Sequence, residues 1–304
     1  MIPKILAQVA RGFVMGAADV VPGVSGGTIA LVFGIYQKLI DSIRDGARAL
    51  GTLATGDIKG FRRRVVALDF LFLIPLLFGI LVAVASLAHL IETQLHDNPE
   101  EMAGLFFGLV VASVFVAWGM LRKRMFTHVL VMAVVAVVVF FLLGYQSGPV
   151  QDPSALVFVG AGSLAICAMI LPGISGSFIL LMMGMYAPVL GAVDDRAFAD
   201  LIFVAIGATI GLALFSSVLG WILERAFDLV MAALIGLMVG SLRVVWPWPN
   251  GVGVISEDAT EVIDGTGLEW PEIDQIAGPL VLAIVAAALV MAIARISERY
   301  SASH

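Results

Sequence analysis

The sequence predicts an all-α polytopic membrane protein with an inverted-topology repeat, each half a re-entrant or broken helical hairpin followed by three transmembrane helices. Three observations carry that expectation. Of the 304 residues 61% are hydrophobic and 13% charged, with a mean hydropathy of +1.05, so the apolar surface exceeds what a soluble core hides and lipid must serve as solvent. The net charge of −6 conceals a segregation of basic from acidic segments, which fixes sides of a membrane better than the sum does. Finally, one Pro-Gly motif occurs twice in the chain, at a constant offset.

Taken in order, the amino-terminal stretch carries Lys4 and Arg11 but no uninterrupted apolar core followed by a small-residue cleavage site, so it reads as mature chain and not as a signal peptide. An apolar region over 5–40 comes first. Residues 41–69, read as a loop, hold Arg44, Arg48, Lys59, Arg62, Arg63 and Arg64, and the positive-inside rule puts them in the cytoplasm. Three runs of spanning length follow, 70–91, 102–121 and 126–145. Between the first two lies an acidic segment, 92–101, with Glu92, Asp97, Glu100 and Glu101, expected outside. After the second come Arg122, Lys123 and Arg124, expected inside. A second apolar region, 155–190, precedes runs at 201–223, 229–246 and 276–294. The 247–275 connection holds only acidic charges, from Glu257 to Asp274, and belongs outside, with Trp246, Trp248 and Trp270 as an interfacial belt; Arg295 and Arg299 return the end to the cytoplasm.

Six spans satisfy these sides only if 5–40 and 155–190 each begin and end on the same side, as hairpins. Each half of such a hairpin has about 15 residues, reaching about 22 Å against a hydrocarbon core of about 30 Å, so re-entrant or broken helices fit. The hairpins are copies of one another. Pro22-Gly23-Val24-Ser25-Gly26-Gly27-Thr28-Ile29-Ala30-Leu31-Val32-Phe33-Gly34-Ile35-Tyr36 aligns at an offset of 150 with Pro172-Gly173-Ile174-Ser175-Gly176-Ser177-Phe178-Ile179-Leu180-Leu181-Met182-Met183-Gly184-Met185-Tyr186, identical at eight of fifteen positions. An odd number of spans after each copy inverts the second, giving repeats over 1–150 and 151–304 in the plan of many secondary transporters.

Irregular backbone at membrane depth is tolerated where it is buried in protein or lines a wet cavity. The breaks are therefore the candidate site. The chain is expected to resume as helices over 28–40 and 178–190, whose free amides and positive dipole ends suit an anion, phosphate above all. Gly23, Gly26, Gly27, Gly173 and Gly176 would admit the ligand to the backbone, and Ser25, Thr28, Ser175 and Ser177 would add hydroxyl donors. By contrast Gly12/Gly16, Gly104/Gly108, Gly207/Gly211 and Gly236/Gly240 have the spacing of helix-packing pairs.

Asp19 is the acid inside the first hairpin; a charge at the bilayer centre costs about 2.5–3.5 kcal/mol on insertion scales, so it suits coupling to H⁺ or Na⁺, or else caps local amides. Met169 stands at the matching position of the second copy. Arg11, Lys38, Arg225 and Arg243, at membrane edges, would attract an anionic head group or snorkel to the interface.

Gly23-Val24-Ser25-Gly26-Gly27 also fits a hydrolase nucleophile elbow, and Gly-x-Ser-Gly resembles the motif of rhomboid intramembrane proteases, so an intramembrane serine hydrolase is the alternative. A serine nucleophile needs a base in reach, but His96 and His304 lie in a loop and at the terminus and His89 and His128 near span ends. No catalytic residue, metal set, cofactor motif or nucleic-acid pattern is expected. Cys167, the sole cysteine, sits in an apolar run as a small hydrophobe.

Gly16-Ala17-Ala18-Asp19-Val20-Val21-Pro22-Gly23-Val24-Ser25-Gly26-Gly27-Thr28, with the second copy from Leu171 to Ser177, resembles the signature of the PopT family of bacterial membrane proteins, over nearly the whole chain. That resemblance implies translocation of undecaprenyl phosphate, or a related polyprenyl phosphate, across the bacterial cytoplasmic membrane for reuse in peptidoglycan synthesis. Membrane lipids would be the other partners.

Overall fold

The computed structural model describes residues 2–19, 25–144, 150–248 and 268–302, and among them it contains helices and turns but no strand. The amino-terminal part runs α1 (Ile2–Asp19), α2 (Gly26–Val32), α3 (Tyr36–Ala54), α4 (Ile58–Val66), α5 (Phe70–Asp97), α6 (Pro99–Met120) and α7 (Phe126–Leu142). The remainder runs α8 (Ala155–Ile170), α9 (Gly176–Met182), α10 (Tyr186–Asp194), α11 (Phe198–Arg225), α12 (Phe227–Ser241), a 3-10 turn over Ile273–Gln275, and α13 (Ala277–Ala302).

Each of the six apolar runs falls on one helix. Phe70–Leu87, Pro99–Met120, Phe198–Arg225 and Ile273–Arg295 are long and apolar enough to cross a bilayer, and the bent pair Gly176–Met182 with Tyr186–Val193, turning through 116°, makes a further broken span or re-entrant loop. Helices α7 and α12 are as apolar but have 17 and 15 residues, about 26 and 23 Å at 1.5 Å per residue. Large side chains such as Leu71, Phe78, Phe141, Leu214 and Ile284, each more than half exposed, stud the outer faces of these apolar helices. In a protein of this composition they are the lipid-facing surface.

Three local expectations are corrected. The helix after each Pro-Gly break does not run on to residue 40 or 190. It stops after seven residues, at Val32 and at Met182. Gly34 and Gly184, both at φ +67, take the left-handed conformation that ends a helix. In the first copy Ile35 N–H donates to Ala30 O at 2.9 Å, and in the second Met185 N–H donates to Leu180 O at 2.8 Å. Next, residues 41–69 are not an open loop. Helix α3 carries a buried stripe of Tyr36, Ile40 and Arg44 at four-residue spacing, which its average hydropathy hides, and α4 follows it. Lastly, 92–101 is no loop either: α5 runs to Asp97 and a single corner residue, Asn98, leads into α6, where Pro99 occupies the first helical position.

Helices pair through glycine. A Cβ on Gly12 or Gly16 would strike the main chain of Leu76 or Ile80 in α5, and one on Gly79 would strike Val9, so α1 and α5 lie backbone to backbone. Helices α8 and α11 close in the same way, Gly207 against Val159 and Gly211 against Ser163. The other pairs cross between the two parts of the chain: Gly104 and Gly108 of α6 face Pro279 and Ala283 of α13, while Gly236 and Gly240 of α12 face Met132 and Ala136 of α7. Helices α5 and α11 both have 28 residues and both end in a one-residue corner, Asn98 at φ −137, ψ 59 and Ala226 at φ −138, ψ 49.

Candidate functional site

The two breaks are in direct contact. Gly173 N–H donates to Thr28 Oγ1 at 2.9 Å, and Ser25 Oγ donates to the carbonyl of Met169 at 3.0 Å. A Cβ on Gly27 would lie 2.7 Å from the Ile170 carbonyl, so the glycine lets α2 abut the end of α8. Ser25, Gly26, Gly27, Thr28, Ser175 and Gly176 are buried and Ser177 half-buried. Pro22 and Gly23 lie outside the described residues.

The amino end of α2 is built from its own side chains. Ser25, extended at φ −129, ψ 137, accepts the Gly27 N–H at 3.0 Å as the helix cap. Asp19, at the end of α1, accepts the Gly26 N–H at 2.6 Å. Two amides expected to be open to a ligand are thus held by a hydroxyl and a carboxylate, and Asp19 takes the amide-capping role. A helix of seven residues also sums few peptide dipoles. Whatever anion affinity the turn has comes from individual N–H and O–H donors.

The second copy is chemically different. The Met169 side chain, at the position matching Asp19, sits over Gly176, where a Cβ would fall 2.6 Å from Met169 Cγ. Ser175 and Ser177 share a hydrogen bond between their hydroxyls at 2.7 Å. Gly173, at φ +88, is wedged against α12: a Cβ there would lie 2.9 Å from Met238 Cα and 2.8 Å from Ser241 Oγ.

The four edge cations sit on aromatic rings. Arg11 lies 6.0 Å from the Phe33 ring and bonds Gln8, Arg225 lies over Trp221 at 4.3 Å, and Arg243 over Phe140 at 4.9 Å. Lys38 lies 4.5 Å from the Phe72 ring and forms an ion pair with Asp69 at 2.7 Å. That ammonium holds the Asp69 carboxyl below its usual range.

Sequence reasoning passed over Arg44. It is nearly buried, pairs with Asp41 at 3.0 Å on its own helix and with Glu224 of α11 at 2.6 Å, and its neighbour Gly220 leaves room for the guanidinium. The signal available was a charge in register with Tyr36 and Ile40. Among the described residues no group of His, Cys, Asp or Glu could hold a metal ion. Ser25 Oγ is bonded to the Met169 carbonyl, and the imidazoles of His96 and His128 are bonded to Asp97 and to the Lys123 carbonyl, not to the serine.

The model of a protein family described as undecaprenyl phosphate translocase-like matches residues 15–263. A polyprenyl-phosphate transporter of Vibrio cholerae is 42% identical over 247 residues, covering 80% of this chain and 78% of its own. A polyprenyl-phosphate transporter of Staphylococcus aureus is 33% identical over 257 residues, covering 79% of this chain and 86% of its own. No solved structure matches.

Proposed function

The chain belongs to the undecaprenyl phosphate translocase-like family and is a multi-pass membrane transporter, not an enzyme; from that premise we propose that it carries undecaprenyl phosphate, or a closely related polyprenyl phosphate, between the leaflets of the bacterial cytoplasmic membrane so that the lipid carrier is reused. A phosphate monoester bears about −1.5 to −2 charges at neutral pH, and moving it bare through hydrocarbon is prohibitive. The protein therefore offers hydrogen-bond donors at depth while the isoprenoid tail stays in lipid.

The observation that carries this reading is the junction of the two breaks through Thr28–Gly173 and Ser25–Met169. That contact supports a single head-group site drawing on donors from both copies, Ser25 to Thr28 and Gly173 to Ser177. In the described conformation the Gly26, Gly27 and Gly173 amides and the Ser25 hydroxyl are bonded within the protein, so the phosphate enters as the turns part. Helix pairs exchanged between the two parts, matched corners at Asn98 and Ala226 and matched left-handed glycines support an inverted repeat of 1–150 and 151–304. Both termini then face the cytoplasm.

Asp19 gives a route to ion coupling. Its carboxylate and the substrate phosphate compete for the same Gly26 amide, so a proton or Na⁺ taken up by Asp19 frees that donor for the phosphate.

The test is transport of polyprenyl phosphate in proteoliposomes with and without imposed H⁺ or Na⁺ gradients. Gradient-dependent movement of the lipid is expected, with partial loss in Ser25→Ala. Release of a hydrolysis product that disappears entirely in Ser25→Ala would overturn the reading.

A further inference from the structure

We propose that α4 is an interfacial element that docks on the anionic phospholipid head groups bordering the protein. The helix is capped by Asp57, whose carboxylate accepts the Gly60 N–H at 2.7 Å, and it packs on α3 with Gly60 buried and Phe61 and Val65 half-buried. At 100° per residue, Ile58, Arg62, Val66, Lys59 and Arg63 succeed one another over about 140° of the remaining circumference. Ile58 is 70% and Val66 73% exposed, and Lys59, Arg62, Arg63 and Arg64 are exposed too. Among the described residues none of these four cations has a carboxylate partner, although Lys38, Arg44 and Arg48 close by all do. Aliphatic side chains interleaved with free cations are what a surface needs to insert between lipids while its charges stay at the phosphates.

Chain continuity fixes the level. Helix α4 ends at Val66, and Asp69 then caps α5, whose Leu71, Ile74 and Leu77 are each more than half exposed as lipid-facing residues. The carboxyl end of α3 adds exposed Leu50 and Leu53. A soluble acidic partner would meet the cations and leave Ile58 and Val66 in water, whereas a lipid surface beside α5 covers both.

A fluorescent probe on Ile58→Cys or Val66→Cys, in a full-length Cys167→Ala background, tests the proposal in vesicles of phosphatidylcholine with or without phosphatidylglycerol. Brominated acyl chains and aqueous iodide are the opposing quenchers, and a probe on Leu71→Cys is the lipid-facing reference. In anionic vesicles bromine quenching at 58 and 66 is expected to approach that at 71, to fall on adding salt, and to give way to iodide quenching in zwitterionic vesicles. An Arg62→Gln, Arg63→Gln, Arg64→Gln variant should behave in anionic vesicles as the parent does in zwitterionic ones. Iodide quenching at both sites in every lipid, as for a face held in water for a soluble partner, overturns the proposal. Equal bromine quenching with and without anionic lipid overturns the role of the charges.

Discussion

Thr28→Val interrogates the junction of the two turns with the smallest change available. The substitution keeps the β-branched shape of a side chain with no exposed surface and removes only the oxygen that accepts the Gly173 N–H at 2.9 Å. Gly173 cannot swing to another acceptor, because its backbone is held at φ +88 and pressed against Met238 and Ser241. An orphaned buried donor costs about 1–3 kcal/mol, while hydrogen bonds measured inside membrane proteins average about 0.6 and reach about 1.7. A loss of about 1–2 kcal/mol is therefore expected, read by reversible unfolding in mixed micelles. Thr28→Ser should recover most of it. Thr209→Val, which deletes an exposed hydroxyl bonded to its own helix at Ala205, should stay within about 0.5 kcal/mol of the parent. Transport should change in Thr28→Val but not in Thr209→Val, since the first bond has to break when the turns part. If Thr28→Val unfolds at the parent's denaturant concentration, Gly173 has another partner and the junction is not built as described.

Gly26→Ala puts a Cβ 2.5 Å from Asp19 Oδ2 and should lower stability and transport; adding Asp19→Ala removes that obstacle and should recover part of the lost stability, the rest being the Gly26 N–H left without its acceptor. Gly108→Ala meets the main chain of Ala283, so no substitution at 283 should relieve it, and unfolding measurements on each pair separate the cases. Asp19→Asn keeps the acceptor for Gly26 but fixes its charge, and should flatten the response of transport to ion gradients while head-group binding persists; an undiminished response would leave Asp19 a purely structural cap. The depressed Asp69 carboxyl contributes stability that is complete above the unfolded value of about 3.9 and lost as pH falls through the lower native one. Asp69→Asn should abolish that acid-side slope at a cost below about 1 kcal/mol at neutral pH, the range of exposed pairs. Membrane-impermeant labelling of single cysteines is expected to reach 92–101 and 247–275 in intact cells; labelling of 41–69 would refute the inverted arrangement.

Hydropathy was enough to place six helices and one internal repeat to single out the two breaks, since both signals are long and chemically coarse. What escaped them was short. A single left-handed glycine, identical in both copies, ends α2 and α9, yet nothing in a linear reading distinguishes Gly34 from the packing glycines around it. The buried stripe of α3 was masked by the polar residues on its other face. The capping of α2 by Ser25 and Asp19 was invisible as such because it depends on where the end of α1 lies in space relative to Gly26. Ser25 and Asp19 were nonetheless singled out as polar residues within an apolar run, and Gly26 as a glycine of the break. Arg44 was counted as loop charge, and only its pairing with Glu224 across α11 reveals it as a brace between distant segments.

The crossed pairing of α6 with α13 and of α7 with α12 has a consequence for biogenesis. Helix α6 enters the membrane early, with the Gly104 and Gly108 groove that it offers to Pro279 and Ala283, and its partner α13 leaves the ribosome long after it. Until α13 emerges, that groove is lined by lipid, by the translocation machinery or by another nascent chain. A ribosome stalled before residue 277 would therefore leave a product whose defect lies near residue 104, a lesion that membrane quality control could detect far in sequence from the missing piece.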